Sequence, residues 1–456
     1  MTSLRIKQVL ERWLPPVGRK ASVRVSATRL EPAASPPPET RVDSAMETHP
    51  PEAQSSPLCG KNAVVVLFST FPSDPRPRRA AEALVREGMK VEVVCLRHDA
   101  SEPAREKSGG VDILRLPLKH HRGSKLGYVF RYLAFILWSG WILAVRSVTR
   151  RYVLVHVHNM PDILAFSALV PKLRGARVIL DLHDPMPELM STIYRSGRES
   201  RSVRLLQRLE RWSIGFADVA VTVNLACQKI FTARSCPAEK LHVVMNAPDE
   251  DVFGFRPAVC REKVVGNAPF VIMYHGSVIQ RHGLDLAVRA LEIVRRTIPA
   301  ATLKIYGHQT PFLEQVMKSV EKTDLAPAVQ YLGGKSVEEI ARAIDDCDVG
   351  IIPNRRSVFT EINTPTRIFE YLARGKPVIA PNAGGIADYF GEDQIIFFEL
   401  GDAEDLARKI EFAALEPTEV WNRVRRGQGV YVAHTWRGER GKFLDLVRKL
   451  VLAERR

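Results

Sequence analysis

The sequence predicts an α/β protein built from two doubly wound, Rossmann-like domains that face a cleft. Short runs of β-branched residues alternate with segments of helical periodicity, which is typical of parallel βαβ units. This alternation begins twice, near residue 61 and near residue 268. The length of 456 residues suits two or three domains of roughly 100–200 residues each.

Composition narrows the class of protein before any motif is considered. Apolar residues make up 45% of the chain, which excludes a fully disordered chain, a collagen-like fibre and a polytopic membrane protein. The net charge of +15 favours polyanions: nucleic acid, anionic lipid or phosphorylated small molecules. The six cysteines form no C-x-x-C motif, which argues against a zinc module and favours a reducing, cytosolic setting.

Residues 1–60 are predicted to form a disordered, proline-rich arm, because residues 17–60 lack apolar runs. The segment Met1–Trp13 is too charged for a secretory signal. Its pattern fits a short basic amphipathic helix that ends at Pro15 and Pro16.

The N-terminal domain is predicted to cover residues 61–250. Polar residues that follow its strands lie where open parallel sheets bind their ligands. The loop after the first strand lacks the dinucleotide fingerprint G-x-G-x-x-G. Asp74 and Arg76 in this loop belong either to a proline-stiffened turn or to an acceptor site. The predicted strands are Ala63–Phe68, Val91–Leu96, Ile113–Leu118, Val153–Val157, Val178–Leu182 and Val219–Val223.

Two of these strands end in histidines. His156 and His158 alternate in the fourth strand and point to the same side, and His183 and Asp184 follow the fifth. A histidine beside carboxylates suits acid–base chemistry, while a helix-capping histidine and a metal ligand are the alternatives. No second histidine follows at i+4, so a metal is disfavoured.

The segment Lys119–Tyr152 carries seven basic residues and no acidic one. Its middle, Tyr132–Val145, is an uncharged run of 14 residues, which is shorter than the ~20 that cross a bilayer. It predicts either a buried core helix or a helix that lies among lipid headgroups. A second basic run follows, and we expect at least one of the two to contact an anionic membrane. The second run is Arg195, Arg198, Arg201, Arg204, Arg208 and Arg211.

The C-terminal domain is predicted to cover residues 268–430, and a final helix the remaining residues 431–456. Gly276 and Ser277 follow its first strand, and Arg281, His282 and Gly283 open its first helix. Backbone amides and an arginine at a helix start hold phosphate, although a plain helix start is the alternative. Gly307, after the next strand, lines a base pocket or forms a simple turn.

The stretch from Glu361 to Ala380 carries the strongest pattern. Thr364 is predicted to be the N-cap of a helix and Pro365 its first residue. Glu370 either accepts hydrogen bonds from a ribose diol or lies on a solvated helix face.

At these motifs the chain resembles the family-4 retaining glycosyltransferases of the GT-B fold. The segment PTRIFEYLARGKPVIAPNAGG resembles their donor-nucleotide motif, and Gly276 through Gly283 their diphosphate loop. HVHNMPD and DLHDPMPE resemble the polysaccharide-forming subset. The segment from Trp436 to Leu450 resembles the helix that crosses back to the first domain.

The resemblance implies a transferase that needs neither a metal ion nor a cofactor. Its C-terminal domain would bind a nucleotide diphosphate sugar, and its N-terminal domain the acceptor. The implied catalytic residues are His183 near the donor sugar, Arg281 at the leaving phosphate, and Glu361 near the first motif glutamate. The implied donor-binding residues are Gly276, Ser277, His282, Gly307, Asn363, Thr364, Arg367 and Glu370. The implied acceptor-binding residues are Asp74, Arg76, His158 and Asp184.

The chain also departs from the family pattern. Ile362 stands where the family has its first glutamate, and Glu361 lies one position earlier. Ser277 and His282 occupy the positions of the usual arginine and lysine, so Arg281 carries that charge alone or with His282. The segment Ser69–Pro75 replaces the usual glycine pair.

These observations lead to one expected function and two alternatives. We expect a peripheral enzyme on the cytoplasmic face of the membrane that transfers sugar to a lipid-linked or polysaccharide acceptor in surface-glycan synthesis. The alternatives are a nucleotide-sugar epimerase of the same architecture and a basic scaffold that binds membrane or nucleic acid. Nucleic acid is disfavoured because few aromatic residues interleave the basic runs.

Overall fold

The computed structural model describes residues 56–99, 101–118, 125–194 and 200–453. Most of the predicted N-terminal arm, with its amphipathic helix, lies outside the described residues. So do four basic residues of the two basic runs: Lys119, Arg122, Arg195 and Arg198. The described residues form two α/β domains, as the sequence predicts.

The N-terminal domain is built on an eight-stranded sheet with the order β3-β4-β2-β1-β5-β6-β7-β8. All neighbouring strands are parallel except β3, which pairs with β4 as an antiparallel edge strand. The strands are β1 (Asn62–Thr70), β2 (Lys90–Leu96), β3 (Arg105–Ser108), β4 (Val111–Leu116), β5 (Tyr152–His158), β6 (Arg177–Leu182), β7 (Val219–Thr222) and β8 (Leu241–Val243).

The helices of this domain cover both faces of the sheet, as buried parallel strands require. A 3-10 helix, Asp162–Ala168, lies between the second and third of them. The helices are α1 (Pro75–Arg86), α2 (Lys125–Thr149), α3 (Leu169–Leu173), α4 (Met186–Tyr194), α5 (Arg201–Phe216) and α6 (Leu225–Arg234).

The C-terminal domain is built on a six-stranded, wholly parallel sheet with the order β11-β10-β9-β12-β13-β14. Its strands are β9 (Phe270–His275), β10 (Ala301–Tyr306), β11 (Val329–Tyr331), β12 (Val349–Ile351), β13 (Val378–Pro381) and β14 (Ile396–Phe398). Its helices are α7 (Leu284–Val294), α8 (Pro311–Val320), α9 (Val337–Asp345), α10 (Val358–Ile362), α11 (Thr366–Ala373), α12 (Gly384–Ala387), α13 (Ala403–Leu415) and α14 (Pro417–Ala433).

The final helix, α15 (Trp436–Leu452), returns to the N-terminal domain. Its buried side chains, among them Phe443 and Val447, join the core cluster formed by strands β1 and β2 and helix α1. Arg448 pairs with Glu87 at the end of α1, with 2.7 Å between nitrogen and oxygen. The last helix of the chain therefore completes the hydrophobic core of the N-terminal domain, which is translated first.

Direct hydrogen bonds also join the two domains near the cleft. The Asn224 side chain donates to the Ile362 carbonyl at 2.9 Å and to Thr364 Oγ1 at 3.1 Å. The Leu225 amide donates to the Tyr389 hydroxyl at 2.9 Å. The prediction that Thr364 caps the following helix is wrong. Pro365 occupies the N-cap position, because the Thr364 hydroxyl is used by Asn224 and by the Gly385 carbonyl.

Helix α2 is longer than the uncharged run that predicted it. It extends over 25 residues, because Arg131 and Arg146 lie within the helix rather than at its ends. Within the described part of the chain, it is the one helix long and apolar enough to cross a membrane by length and composition. The prediction that this segment is too short to span is therefore wrong. One face packs on the sheet through Phe135 and Leu143, and the opposite face is exposed.

Removing the Phe443 side chain tests whether α15 belongs to the N-terminal core. Phe443 is 2% exposed, so Phe443→Ala is expected to lower the free energy of unfolding by about 3–5 kcal/mol. Urea unfolding measures this loss. The control is Val432→Ala on α14, which is 59% exposed and should change stability by less than about 0.5 kcal/mol. A loss from Phe443→Ala no larger than that of the control would contradict the packing described.

Candidate active site

Residues that follow the carboxyl ends of strands border the cleft between the domains, where the sequence predicts ligand-binding loops. Asn224, after β7, hydrogen-bonds there to Ile362 and Thr364 of the other domain. Helix α4, which follows β6, packs across this cleft against α10 of the other domain. The predicted site residues therefore come from two walls. The N-terminal wall is formed by residues at or after the ends of strands β1, β5 and β6. The C-terminal wall is formed by residues in the loops after strands β9, β10 and β12.

A buried polar cluster forms the N-terminal wall. His158 on β5 is paired in register with Asp181 on β6, and His156 lies two residues earlier on the same side. The His156 and His158 ring centroids are 4.2 Å apart. Asp181 Oδ2 lies 3.3 Å from His156 Nε2 and 3.5 Å from His158 Nδ1. His158 Nδ1 in turn lies 2.8 Å from His183 Nε2.

Arg76 lies at the back of this cluster rather than at an acceptor surface. Its Nε and Nη2 atoms donate to the Asp181 carboxylate at 2.7–3.1 Å. Its Nη1 atom donates to the Val244 carbonyl and to the Asn246 side chain. The side chain is buried and all three nitrogens are engaged inside the domain. The structure thus assigns Arg76 to holding Asp181, and not to the predicted contact with the acceptor.

The electrostatics of the cluster follow from its burial. Burial disfavours the charged form of Asp181, but Arg76 and His156 outweigh it and hold the pKa of Asp181 well below its usual range. Burial lowers the pKa of His158 far below its usual range, and it lowers the pKa of His183 to about 4. His158 and His183 are therefore neutral near pH 7. Of the two, His183 reaches the cleft, with 20% of its side chain exposed against 1% for His158.

Among the described residues, this cluster also contains potential metal ligands that lie close together. One ligand atom from each of His156, His158 and Asp181 lies within 4.8 Å of the others. The Arg76 guanidinium, however, contacts both oxygens of Asp181 and places a positive charge beside any cation that would enter. The donor set therefore fits a metal ion poorly.

Asp74 and Asp184, the other predicted acceptor residues, lie at the mouth of the same wall. Ser69 donates to Asp74 at 2.8 Å at the start of α1. Burial raises the pKa of Asp184 to about 6, while Arg281 of the opposite domain acts to lower it. The guanidinium of Arg281 lies over the Phe359 ring, 5.2 Å from its centroid.

The loop after β9 forms the C-terminal wall. Gly276 has a positive φ of 111°, which favours glycine, and the Arg367 side chain packs against it. The Ser277 carbonyl accepts from the Tyr274 hydroxyl at 2.8 Å and lies 2.8 Å from His282 Nδ1. Burial, together with nearby arginines, lowers the pKa of His282 to about 3, so this residue does not supply the positive charge of the family's lysine.

Two glycines allow close approach of backbone segments around this loop. Gly283 adopts a left-handed conformation with φ of 65°, and a Cβ there would collide with the Pro353 carbonyl oxygen. A Cβ at Gly307 would collide with the Gly276 carbonyl oxygen. The loop after β9 therefore approaches the loop after β12 at Gly283 and the loop after β10 at Gly307. Only glycine fits at these two positions.

Glu370 and Arg367 lie on α11 beneath the Gly276 turn. The Glu370 carboxylate is 3.5 Å from His275 Nε2, and Arg367 Nη1 donates to the His275 carbonyl. Burial raises the pKa of Glu370 to about 7, although Arg367 and Arg79 act to lower it. Glu370 is therefore half-buried, with 16% of its side chain exposed, and the alternative of a solvated helix face is wrong.

Glu361 and Asn363 take different positions from Glu370. Glu361 lies on α10 and pairs with Arg356 at 2.6 Å, with about a third of its side chain exposed. Asn363 ends the same helix in an extended conformation. Neither residue contacts the His275–Glu370 pair, and their predicted roles in catalysis and donor binding stay predictions.

Sequence reasoning passed over Asp181 and Asn224. Asp181 lies inside a strand, where the register with His158 rather than any motif gives it a role. A carboxylate at an inward strand position is the signal that could have marked it, because buried carboxylates need partners. Asn224 caps α6 and also donates a hydrogen bond to the other domain. Only the tertiary structure reveals the second role.

Comparisons with known proteins agree with this geometry. Residues 74–247 match the family described as "Glycosyl transferase 4-like domain", and residues 269–414 match "Glycosyl transferases group 1". The chain is 24% identical over 173 residues to the amylovoran biosynthesis glycosyltransferase AmsK of Erwinia amylovora, which is 38% of this chain and 41% of that protein.

A second relative is the GDP-mannose-dependent alpha-(1-6)-phosphatidylinositol monomannoside mannosyltransferase of Mycolicibacterium smegmatis. It is 29% identical over 175 residues, which is 37% of this chain and 45% of that protein. The chain thus matches somewhat less than half the length of these two relatives.

Among solved structures, Anabaena HepE in complex with UDP-glucose superposes with a TM-score of 0.62. The superposition covers 85% of this chain and 99% of HepE at 14% identity, so it shows the fold. The predicted fold class is therefore confirmed, with both domains matched to adjoining glycosyltransferase domains. The chain belongs to the family-4 glycosyltransferases of the GT-B fold.

Proposed function

We propose that this chain moves a sugar from a nucleotide diphosphate sugar to a membrane-associated, lipid-linked glycan in surface polysaccharide biosynthesis. The observation that carries the proposal is the C-terminal wall, where Arg367 packs against Gly276 and donates to the His275 carbonyl, and where Glu370 lies 3.5 Å from His275 Nε2. The amylovoran relative supports the pathway class, and the UDP-glucose bound by HepE supports the donor class.

In this proposal the C-terminal wall binds the donor. Glu370 accepts two hydrogen bonds from the ribose diol, because an ionised carboxylate is the strongest acceptor that the wall offers. The diphosphate lies against the Gly276 turn, where the absent Cβ permits close approach to the backbone. Arg281 and Arg367 supply the positive charge that the diphosphate needs, so the proposed reaction requires no metal ion.

The proposed reaction retains the configuration at the anomeric carbon. The bond from C1 to the diphosphate oxygen breaks, and a new bond forms from C1 to the acceptor oxygen on the same face. The acceptor hydroxyl gives its proton to the leaving diphosphate. Arg281 stabilises the charge that develops on that leaving group, which is where a preorganised cation lowers the barrier most.

Binding of nucleotide sugars in the presence of a chelator tests the donor site. One class among UDP-, GDP-, ADP- and TDP-sugars is expected to raise Tm, with a gain of roughly 2.7 kcal/mol at 100 times Kd. Glu370→Gln weakens this shift. Wild-type binding also weakens from pH 8 to pH 6, because the carboxylate of Glu370, whose pKa burial raises to about 7, becomes protonated.

The pH dependence has an internal control. The diphosphate of a nucleotide sugar does not titrate in this range, and Asp184 lies on the N-terminal wall, whereas the proposed ribose site is on the C-terminal wall. A dependence caused by Asp184 would persist in Glu370→Gln, whereas one caused by Glu370 disappears. Glu404→Gln, at a carboxylate that is 64% exposed, should bind like the wild type. The absence of a shift with every nucleotide class would overturn the proposed donor site.

Replacing Arg281 tests the leaving-group role. Arg281→Ala is expected to reduce release of nucleoside diphosphate at saturating donor by about 100-fold or more, because one preorganised donor to a developing charge is lost. Arg289→Ala is the matched control, since Arg289 lies on α7 with 64% of its side chain exposed. Circular dichroism verifies that both variants fold. Equal turnover in the two variants would contradict the assignment.

The acceptor side of the proposal rests on the exposed face of α2. A surface helix usually presents polar residues to solvent. Here the outward positions repeat at helical spacing and are apolar, and we call them the apolar face. They are Val129, Phe130, Leu133, Leu137, Trp138, Trp141, Val145 and Val148.

The apolar face continues across neighbouring elements and has a basic border. Helices α2 and α5 both pack on the 3-10 helix between them, which adds exposed Phe166. On α5, exposed Leu205 and Trp212 lie among arginines. These exposed arginines are Arg201, Arg204, Arg208 and Arg211. Apolar and aromatic residues edged by arginines suit the headgroup region of an anionic membrane.

Because the inner face of α2 packs on the sheet, the proposal has the helix lie along the membrane rather than cross it. The mannosyltransferase relative, whose name specifies a phosphatidylinositol monomannoside, supports a lipid-linked acceptor. The six cysteines are all free thiols, which suits the cytoplasmic side.

Vesicle binding tests this surface. The triple variant Phe130→Ser, Leu137→Ser, Trp141→Ser is expected to lose at least tenfold in affinity for vesicles with 30% anionic lipid. Each buried side chain contributes about 1.5 kcal/mol or more to such binding. The matched control replaces three exposed apolar residues of the other domain, Val259, Val265 and Val432, by serine. Unchanged vesicle binding by the triple variant would overturn the membrane assignment. So would a wild-type protein that is a dimer and a triple variant that is a monomer.

A further inference from the structure

We propose that Asp181, acting through His158, fixes the tautomer of His183 so that His183 offers an N–H group at Nδ1 to the cleft. Asp181 and His158 are then positioning residues, and His183 is a hydrogen-bond donor rather than a base. The chemical consequence rests on the proposed transferase function, whereas the tautomer itself does not.

The argument starts from the short contact between two histidines. His158 Nδ1 and His183 Nε2 are 2.8 Å apart, so one of these nitrogens carries the proton and the other accepts it. His158 Nδ1 also lies 3.5 Å from Asp181 Oδ2. A lone pair on His158 Nδ1 would face a carboxylate oxygen and be repelled, whereas a proton there is attracted by it. His183 Nε2 lies farther from the carboxylate, at 3.9 Å from Asp181 Oδ1, and Arg76 already donates two hydrogen bonds to that oxygen. The proton therefore resides on His158 Nδ1.

An independent observation at the other nitrogen of His158 agrees. His158 Nε2 is buried and has no hydrogen-bond partner among the described residues. In the opposite tautomer this atom would be a buried N–H group without an acceptor, which costs about 1–3 kcal/mol. With the proton on Nδ1, His158 Nε2 carries no proton, so no buried N–H group is left without an acceptor.

The tautomer of His183 follows from that of His158. Because His183 Nε2 accepts the hydrogen bond from His158, the proton of the neutral His183 ring lies on Nδ1. His183 is the exposed partner of this pair, so Nδ1–H is its group available to a ligand. An oxygen of the donor sugar or its phosphate is the acceptor that such a group suits.

Arg76 explains why the cluster sets a tautomer rather than a charge. Its guanidinium neutralises Asp181 through contacts to both carboxylate oxygens. No net negative charge then remains at the cluster to hold an imidazolium, and burial opposes one further. The other charged group near His183 is Asp74, whose carboxylate accepts from Ser69.

The consequence for the reaction is specific. A His183 ring with its proton on Nδ1, and with Nε2 already occupied, has no free lone pair for the acceptor hydroxyl. Removal of the acceptor proton then falls to the leaving diphosphate, as the proposed front-face course requires. Loss of His158 should therefore reduce kcat through misorientation of His183 more than it changes KM for the donor.

Long-range proton–nitrogen NMR correlation of the 15N-histidine-labelled full chain tests the inference without any turnover. His183→Gln assigns the His183 signals. The wild type is expected to show His183 as the neutral Nδ1–H tautomer from pH 6 to pH 8. His158→Leu should convert His183 to the Nε2–H form or to a mixture. His158→Asn, which keeps an N–H donor at the position of Nδ1, should restore the Nδ1–H form.

Tyr152→Phe is the matched control, because it removes another buried hydrogen bond of the same strand, from Tyr152 to Glu92 at 2.6 Å. It should leave the His183 tautomer unchanged. An Nε2–H tautomer or an imidazolium in the wild type at pH 7 would overturn the inference, as would an unchanged His183 spectrum in His158→Leu. Should His158→Leu fail to fold, the wild-type and His158→Asn spectra still decide. Should every form lack transferase activity, the proposed function fails while the tautomer stands or falls by these spectra.

Discussion

The buried ion pair between Arg76 and Asp181 is the interaction on which the N-terminal wall of the cleft depends. Arg76 lies in the first turn of α1 and Asp181 is the second-last residue of β6, so the pair ties a helix start to a strand end. The same guanidinium holds Val244 and Asn246, where the chain leaves the domain. A buried charge without its partner is strongly destabilising, so the three segments are positioned together.

The C-terminal wall depends on a different constraint, which is the close approach of backbone. Gly283 and Gly307 let three loops approach one another where side chains would collide. The resulting surface is backbone-rich and edged by arginines, while the facing wall is built of histidines and carboxylates. The cleft therefore combines one wall suited to a diphosphate with one suited to hydroxyl groups, which is the division of labour that a transferase needs.

The sequence was sufficient for the fold because the hydrophobic pattern and the fold agree over most of the chain. Apolar residues at helical spacing predict a helix at Val337–Asp345, and the structure has a helix with those bounds, where a capping box at Ser336 sets its start. Edge strand β3 was missed because Arg105–Ser108 is fully polar and exposed. The length of α2 was underestimated because Arg131 and Arg146 lie within the helix and do not end it.

The candidate site was less predictable than the fold. Motif positions drew attention to both Arg281 and Glu370, since Arg281 lies just before Gly283 at the start of α7 and Glu370 follows Pro365 at the start of α11. The partnership of Asp181 with His158 depends on strand register, which no local pattern encodes. The burial of Arg76 likewise depends on where the loop after β1 packs. Pairwise geometry of this kind arises from tertiary structure alone.

The return of α15 to the N-terminal core has a consequence for synthesis of the protein. Phe443, Leu444, Leu446 and Val447 complete a core whose other buried members all lie between residues 58 and 244. At about 5–20 residues per second, a ribosome needs roughly 10–40 s to translate the intervening chain. During that interval the C-terminal domain is made and folds, while the first domain waits with the α15 docking surface on β1 and α1 uncovered. The N-terminal domain is thus translated first but completed last. A chaperone that shields its exposed docking surface has this interval in which to act.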